Sequence, residues 1–146
     1  MSRTLWTLRI AAVVLTLAVV SLAAGCGGAA DDEPSLDATG WRLVGWSLSS
    51  LDPNDFTITA AFADGQISGT SAVNSYGGPY TTGPGDAFSV GDIAATAMAG
   101  PEPAMRAEGA YMTLLDQAAS YTLAGDTLRL YDQNGNESLV FTATDG

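Results

Sequence analysis

The sequence predicts a β-rich α+β domain, built as a curved antiparallel sheet or incomplete β-barrel with one helix packed across it. Three observations support this fold class. Several short segments alternate apolar and polar residues with the period of a strand. Glycine-containing turn pairs separate these segments, and only one segment has the apolar periodicity of a helix. Because strands and helices do not alternate along the chain, a parallel sheet is not expected.

The first three predicted strands are an opening strand and a hairpin. Residues 41–46 are rich in aromatic and branched side chains, which favours a strand. Residues 56–63 show the clearest alternation, and the side chains expected in the core are Phe56, Ile58, Ala60 and Phe62. Asp64-Gly65 predicts a tight turn, because glycine accepts the positive φ that such turns need. Residues 66–70 then form the returning strand.

The middle of the chain is dense in small residues. Residues 69–80 contain glycines that permit bulges or a close approach of two backbones. Residues 87–93 are a further predicted strand, in which Phe88 and Val90 share one face. Ile93 is out of phase with them, so Gly91 is expected to form a bulge that restores the phase.

The single predicted helix begins near Pro103, which fits a first helical turn, and ends before Tyr121. Its apolar residues follow the spacing i, i+4, i+7, i+8 and i+11, which is typical of one buried stripe. The stripe consists of Ala107, Tyr111, Leu114, Leu115 and Ala118.

The end of the chain is predicted to form a hairpin and a last strand. A Gly125-Asp126 turn joins the strands within residues 121–131, and Asn134-Gly135 leads into a strand at residues 137–142. Residues 132–137 also resemble the start of a calcium-binding loop, but their glycine stands at the fourth position instead of the sixth. The hairpin turn is therefore preferred, and no metal site is expected.

The first 39 residues are predicted to target and tether the domain. Residues 1–25 resemble a lipoprotein signal peptide, with a cationic start, a sixteen-residue uncharged run and small residues before Cys26. The run is shorter than the ~20 residues of a transmembrane helix, so the alternative of a retained signal anchor is disfavoured. Cys26 is the only cysteine and the expected lipidation site. Residues 26–39 are predicted to be a flexible acidic tether, and residues 40–146 the folded domain.

The charge of the chain limits its partners. The full chain has 5 basic and 16 acidic residues, a net charge of −11. Removal of the leader would leave three arginines against those acids, a net charge of −13. Such a surface repels nucleic acid, so no nucleic-acid partner is expected. The charge is interpreted as a solubility feature or as the acidic bias of a high-salt or high-GC lineage. A monomer is expected.

The residue types argue against catalysis. The chain has no histidine and no lysine. It therefore has neither a Ser-His triad nor a Schiff-base amine. The sequence predicts no enzyme, no catalytic residue and no cofactor.

Two groups of side chains are candidates for structural or binding roles. Glu108 lies beside the apolar stripe of the helix, and we expect it to be partly buried and to bond the segment of Asn74 and Tyr76. A structural role is favoured over a catalytic one, because buried polar groups mostly satisfy bonding needs. Three aromatic residues are candidates for a surface groove, although such residues are more often core in small β domains: Trp41, Trp46 and Tyr80.

An ordered set of segments resembles the META domain family, which includes small heat-inducible (HslJ-like) bacterial lipoproteins. The resemblance runs in register from about residue 41 to residue 142, and no single motif decides it. Its segments are Asp64–Gly69, Asn74–Tyr80, Thr96–Ala99, Glu108 with Tyr111, Leu114 and Leu115, and Leu128–Asp132 with Gly135. The resemblance implies a compact β-rich domain with one helix, no established catalytic activity, and an association with stress or antibiotic tolerance.

The chain departs from the family at two positions. Relatives often carry cysteines where this sequence has Val73 and Gly100. Their joint absence implies that the two positions are neighbours and that a cross-link or thiol role has been lost as a unit.

These observations predict a non-enzymatic lipoprotein with a role in partner binding or envelope stress tolerance. Acyl and diacylglyceryl groups on Cys26 would anchor it on the outer face of the cell membrane or in the periplasm, where an envelope protein is the expected partner. The alternative is a carrier of a small apolar or lipid ligand in a half-barrel pocket. An apolar pocket of ~300 Å³ or more near Trp41, Tyr76 or Tyr80 would favour the carrier, and a solid core would favour an interaction module.

Overall fold

The computed structural model describes residues 35–145. The elements are β1 (Thr39–Trp46), β2 (Thr59–Ala63), β3 (Gln66–Thr70), β4 (Ser75–Gly83), β5 (Ala87–Val90), β6 (Ala94–Ala95), α1 (Glu102–Asp116), β7 (Ser120–Ala124), β8 (Thr127–Tyr131) and β9 (Glu137–Ala143). A single 3₁₀ turn at Pro53–Asp55 lies between β1 and β2. Within this described part of the chain, no helix has the length and apolar character needed to cross a membrane.

Eight strands form a closed antiparallel barrel. They follow the order β3-β2-β1-β9-β8-β7-β5-β4, and β4 pairs back onto β3. The two-residue β6 pairs with the start of β4. A β-rich α+β fold with one helix is thus confirmed, but the curved sheet closes on itself, so the prediction of an incomplete barrel is wrong. Closure depends on the length of β4, which pairs with β3 through residues 75–79 and with β5 through residues 80–83.

The contact between β5 and β7 is a narrow seam in the barrel wall. One Cα pair, Ala87 with Ser120, joins the two strands. Two backbone hydrogen bonds of 3.0 Å flank it, from Phe88 N to Ala119 O and from Tyr121 N to Asp86 O. The wall is therefore closed at this point by a few hydrogen bonds.

Side chains predicted to face inward lie in the barrel core. Ile58, Ala60 and Phe62 are each at most 1% exposed, which confirms the alternation from residue 58 onward, whereas Phe56 is half-buried and lies before β2. The helical stripe is confirmed for Ala107, Tyr111, Leu114 and Leu115, and Ala118 is buried just after α1 ends. An eight-stranded barrel is just wide enough for side chains to fill, and this core is made mainly of aromatic and branched aliphatic side chains.

Two predicted hairpin turns form. Asp64 and Gly65 have φ values of 52° and 73°, as a tight turn between antiparallel strands requires. In the Asn134-Gly135 turn, Gly135 has a φ of 80°. The Asp132 carboxylate accepts hydrogen bonds from the backbone N–H groups of residues 134 (2.8 Å) and 136 (2.9 Å). The Asp132 carboxylate, one of the groups that resembled calcium ligands, is therefore engaged in forming the turn.

The strand predicted over residues 87–93 is shorter than expected. β5 ends at Val90, and the Gly91 N–H donates a hydrogen bond of 2.8 Å to the carbonyl of Pro79. A Cβ atom on Gly91 would lie 2.7 Å from Pro79 Cγ. Glycine is needed at position 91 because the backbone lies close to Pro79 there. The predicted bulge inside a longer strand does not form.

The predicted tether is wrong at its C-terminal end. Leu36 is only 2% exposed and belongs to the core. The Asp37 carboxylate accepts a hydrogen bond of 2.7 Å from the Asp64 backbone N–H. Burial of one leucine contributes about 1.5–3 kcal/mol, which helps to offset the entropy lost in ordering this acidic segment. Residues 1–34, which include Cys26, lie outside the described residues.

The helix and the N-terminal segment contact opposite ends of β3. Glu108 of α1 bonds the connection that follows β3 at residues 71–74. Asp37 bonds the Asp64-Gly65 turn that precedes β3. Two different segments are therefore attached to the two ends of this strand.

Candidate functional site

A cluster of hydrogen-bonded polar side chains joins the helix to the barrel. We call Ser71, Asn74, Thr96 and Glu108 the Glu108 cluster. Glu108 Oε2 accepts hydrogen bonds from Ser71 Oγ (2.7 Å) and from the Asn74 backbone N–H (2.8 Å). Glu108 Oε1 accepts one of 2.8 Å from Asn74 Nδ2. Both carboxylate oxygens are therefore engaged with the connection between β3 and β4.

The Asn74 side chain extends the same cluster to the segment before the helix. Asn74 Oδ1 accepts hydrogen bonds from Thr96 Oγ1 (2.8 Å) and from the Met98 N–H (2.7 Å). Asn74 Nδ2 also donates to the Met98 carbonyl at 3.2 Å. Asn74 is 2% exposed, so its amide needs these partners. One buried asparagine thus ties together the β3–β4 connection, residues 96–98 and α1.

The surroundings of Glu108 act on its pKa in two opposite ways. Burial alone would raise the pKa, because it disfavours the charged form. The hydrogen bonds from Asn74, Ser71 and the backbone of residues 73 and 74 lower it, and the net pKa lies below the ordinary value. Glu108 is therefore held as a carboxylate by donors, which suits a structural acceptor.

A second buried polar group consists of two tyrosines. Tyr76 Oη donates a hydrogen bond of 2.8 Å to the Thr59 carbonyl and lies 2.6 Å from Tyr111 Oη. Since the Tyr76 proton is used on Thr59, Tyr111 donates to Tyr76. A Cβ atom on Gly69 would lie 2.1 Å from the Thr59 oxygen, so glycine at that position makes room for this carbonyl. Burial raises the pKa values of both tyrosines, which keeps both hydroxyls protonated.

The order of donors in this pair predicts unequal effects of two matched substitutions. Tyr76→Phe would leave the Thr59 carbonyl and the Tyr111 hydroxyl without partners, and we expect it to cost about 2 kcal/mol of unfolding free energy. Tyr111→Phe would remove only a donor to Tyr76 and is expected to cost about 1 kcal/mol. Urea denaturation of the two variants measures the difference. Equal losses, or a larger loss for Tyr111→Phe, would contradict the donor order.

The structure brings together only part of the predicted polar network. Asn74 and Glu108 are bonded directly, whereas Tyr76 bonds Tyr111 and Thr59. Ser71, which is fully buried and donates to Glu108, is a member of the Glu108 cluster that was not predicted. Tyr111 was predicted as a member of the apolar stripe, without a partner for its hydroxyl. A buried tyrosine generally needs such a partner, and that rule was the available signal.

Two of the three aromatic residues predicted to line a groove, Trp41 and Trp46, lie toward opposite ends of β1. Trp41 is 3% exposed, and its indole N–H donates to Thr39 Oγ1 at 2.7 Å. Trp46 lies at the other end of β1, and its indole N–H donates to the Leu51 carbonyl at 2.8 Å. Tyr80 packs against the Phe62 ring, with centroids 4.9 Å apart. Trp46 therefore shares no groove with Trp41.

Several surface clefts of moderate size lie on the described part of the barrel, and two of them differ in character. One of about 350 Å³ opens beside Trp41 and is mainly apolar, lined by Ala38, Thr39, Gly40, Trp41, Leu123, Gly125, Ala143 and Thr144. Another of about 320 Å³ is polar, lined by Gln117, Asp132, Gln133 and Asn134. Among residues 35–145, no three acidic, histidine or cysteine side chains are placed to hold a metal ion together.

The comparisons with known proteins place the fold. The META domain family model matches residues 34–145. The chain resembles an NMR structure of a protein from Burkholderia xenovorans, with a TM-score of 0.63 and 26% identity over 76% of this chain and 85% of that one. It also resembles the crystal structure of a duf4847 family protein from Bacteroides vulgatus, with a TM-score of 0.56 and 12% identity over 76% and 96% of the two chains. No curated protein sequence matches the chain significantly.

Proposed function

The chain belongs to the META domain family, and on that premise we propose that it is a lipid-anchored, non-enzymatic protein of the cell envelope that acts by binding a partner there. Cys26 carries the proposal. It follows a cationic start, an uncharged run and the small residues Ala23-Ala24-Gly25, and a polar acidic stretch follows it directly. This order is typical of a cysteine that is lipidated after removal of the leader.

Two further observations support a binding role over catalysis. The sequence contains no histidine and no lysine. The carboxylate of Glu108 is occupied by three hydrogen bonds from Ser71 and Asn74, which leaves it poorly placed for proton transfer. The acidic surface favours a partner that presents basic groups, because complementary charge speeds association and excludes wrong partners.

The anchor predicts a clear result for one substitution. Cys26→Ser removes the thiol that would carry the lipid, so we expect the protein to move from the membrane fraction to the soluble fraction of the native host. Ser21→Ala, in the same leader, keeps the thiol and should leave the distribution unchanged. Fractionation and intact mass measure both variants. A Cys26→Ser protein that stays with the membrane and keeps its mass, apart from the substitution, would overturn the anchor.

The cleft beside Trp41 favours a second candidate function, the carriage of a small apolar or lipid ligand. Its volume of about 350 Å³ falls at the lower end of the range for small-molecule sites, and Trp41 and Leu123 give it apolar walls. The barrel interior below it is occupied by core side chains. A carrier of this kind would therefore hold its ligand at the mouth of the barrel and not inside it.

A further inference from the structure

Leu36 reaches the barrel core from a segment that is otherwise exposed. Ser35, Asp37 and Ala38 are all exposed, whereas Leu36 is buried. Ser35 lines a surface cleft together with Tyr121. Asp37 lies close enough to Tyr80 for its charge to help burial raise the pKa of that tyrosine. The residues on either side of Leu36 therefore lie near Tyr121 and Tyr80, and Leu36 itself belongs to the core.

Tyr80 and Tyr121 belong to an aromatic cluster that also contains Phe62 and Phe88. The ring centroids of Phe62 and Tyr80 are 4.9 Å apart, and those of Tyr80 and Phe88 are 6.2 Å apart. Phe88 also contacts Tyr121, with centroids 6.3 Å apart. These contacts connect four strands and do not depend on Leu36, so the cluster is able to keep its shape without that leucine.

The segment has few hydrogen bonds to the barrel, one of which is donated by Thr39 Oγ1 to the Leu36 carbonyl. Within the described chain, no backbone-to-backbone hydrogen bond joins residues 35–38 to the rest of the molecule. One contact to a distant residue is the Asp37 carboxylate, which accepts from the Asp64 N–H at an exposed position. Ala38 has a φ of 61°, a left-handed conformation that is costly for a residue with a Cβ atom. Strain at Ala38 therefore opposes the burial of Leu36.

We propose that residues 35–38 are a displaceable plug, and that the space filled by Leu36 is a binding site for one apolar chain of an uncharged or cationic amphiphile. The ligand class follows from the surroundings. The cluster offers aromatic walls, while Asp37, Asp64 and Asp86 lie in or beside the segment and repel an anionic head group. This inference rests on the carriage of a small apolar ligand, but it places the ligand chain in the space filled by Leu36 instead of the cleft beside Trp41, and it names the ligand class and the gate.

The strained residue provides a test that leaves Leu36 unchanged. Ala38→Gly relieves the strain and favours the closed plug, whereas Ala38→Val adds a β-branched side chain at the same positive φ and favours the open one. Ala63→Val makes the same change at an exposed position in β2 and serves as the matched control. The readout is a fluorescence titration with the neutral probe N-phenyl-1-naphthylamine, followed by displacement with decanol, dodecyltrimethylammonium or decanoate. Near-UV circular dichroism shows that each full-length variant is folded.

We expect Ala38→Val to bind the probe about fivefold or more tightly than wild type, because apparent affinity rises with the fraction of open molecules. Ala38→Gly should bind it more weakly by a similar factor, and Ala63→Val should match wild type. Decanol and the cationic amphiphile should displace the probe at lower concentrations than decanoate does.

The possible results of these titrations distinguish failure of the plug proposal from failure of the carrier function. Equal probe affinity in folded Ala38→Gly and Ala38→Val proteins would overturn the plug while leaving a carrier with another site. Leu36→Ala opens the site directly, with Leu48→Ala as an exposed control. Failure of folded Leu36→Ala protein to bind any of these compounds would overturn both the plug and the carrier. Preferential displacement by decanoate would overturn the ligand class.

Discussion

The double variant V73C/G100C is expected to form a disulfide that stabilises the fold by about 3 to 4 kcal/mol. A Cβ atom placed on Gly100 would lie 3.5 Å from Val73 Cβ, which is within the range that disulfides require. The bond would close a loop of about 28 residues, and the gain arises mainly from restriction of the unfolded chain. Made in a Cys26→Ser background, the pair has no competing thiol.

The measurement is guanidinium denaturation of the oxidised and reduced forms of the same protein. Oxidation should raise the midpoint strongly, and reduction should return it to near the wild-type value. Gly100→Ala in the presence of Val73 is the control, because its Cβ atom would lie 2.7 Å from Val73 Cγ2 and should destabilise the fold. A pair that remains reduced under oxidising conditions, or an oxidised form no more stable than the reduced one, would contradict the geometry.

The contact between Val73 and Gly100 shows which part of the structure could be predicted from the sequence. The resemblance implied that the two positions are neighbours, since relatives often carry cysteine at both. The structure places them in contact, with a valine side chain filling the space above a glycine. Val73 lies so close to Gly100 that a Cβ atom at position 100 has no room beside it. Neither residue alone predicts this close contact.

The barrel itself was only partly predictable. Alternation from Phe56 to Phe62 and the Asp64-Gly65 turn identified a hairpin, because both signals are local. Closure depends on β4 pairing with two partners and on a seam at Ala87 and Ser120, which are distant in sequence. Periodicity shows which face of a strand is buried but does not show which strand will be its neighbour.

The predicted N-terminal boundary of the folded domain was wrong for a different reason. Residues 26–39 have the composition of a tether, and one leucine changes such a composition very little. In the folded chain, Leu36 nevertheless fills a place in the core, and Asp37 caps the turn at Asp64. The average polarity of the segment therefore gave no sign that one of its side chains is buried in the core.

The part of the candidate site around Glu108 could be predicted from the sequence. Glu108 stood beside an apolar stripe, so a carboxylate there needed donors, and Asn74 supplies two of them. Ser71 gave no such signal, because serine is common in turns and on surfaces. Its role depends on how the β3–β4 connection folds over the helix.

Glu108→Gln is expected to lower the unfolding free energy at neutral pH by about 2 to 3 kcal/mol. A glutamine retains one acceptor oxygen for Ser71 and the Asn74 N–H, but its amide nitrogen would face the Asn74 Nδ2 donor. Hydrogen bonds to charged groups contribute about 1.5–3 kcal/mol each. In Glu108→Gln, the bond from Asn74 Nδ2 is lost, and two N–H donors face each other without an acceptor. Urea denaturation at pH 7 measures the loss.

The loss should depend on pH in a direction fixed by the lowered pKa of Glu108. Because the pKa of this carboxyl in the folded chain lies below its ordinary value of 4.5, the ionised form stabilises the fold above that pH. The stabilisation is lost as the pH falls through the lowered pKa, where wild type becomes protonated. The difference between wild type and Glu108→Gln should therefore be full at pH 7 and shrink steadily below about pH 4.5.

Glu102→Gln is the matched control on the same helix. Glu102 is exposed, and its carboxylate lies 3.9 Å from Arg106 Nε, a surface pair whose contribution is expected to be small. Both substitutions remove one negative charge from a strongly acidic chain, so comparing them cancels the general relief of repulsion. A Glu108→Gln effect that equals the Glu102→Gln effect, or that grows as the pH falls, would show that the Glu108 cluster does not hold the helix on the barrel.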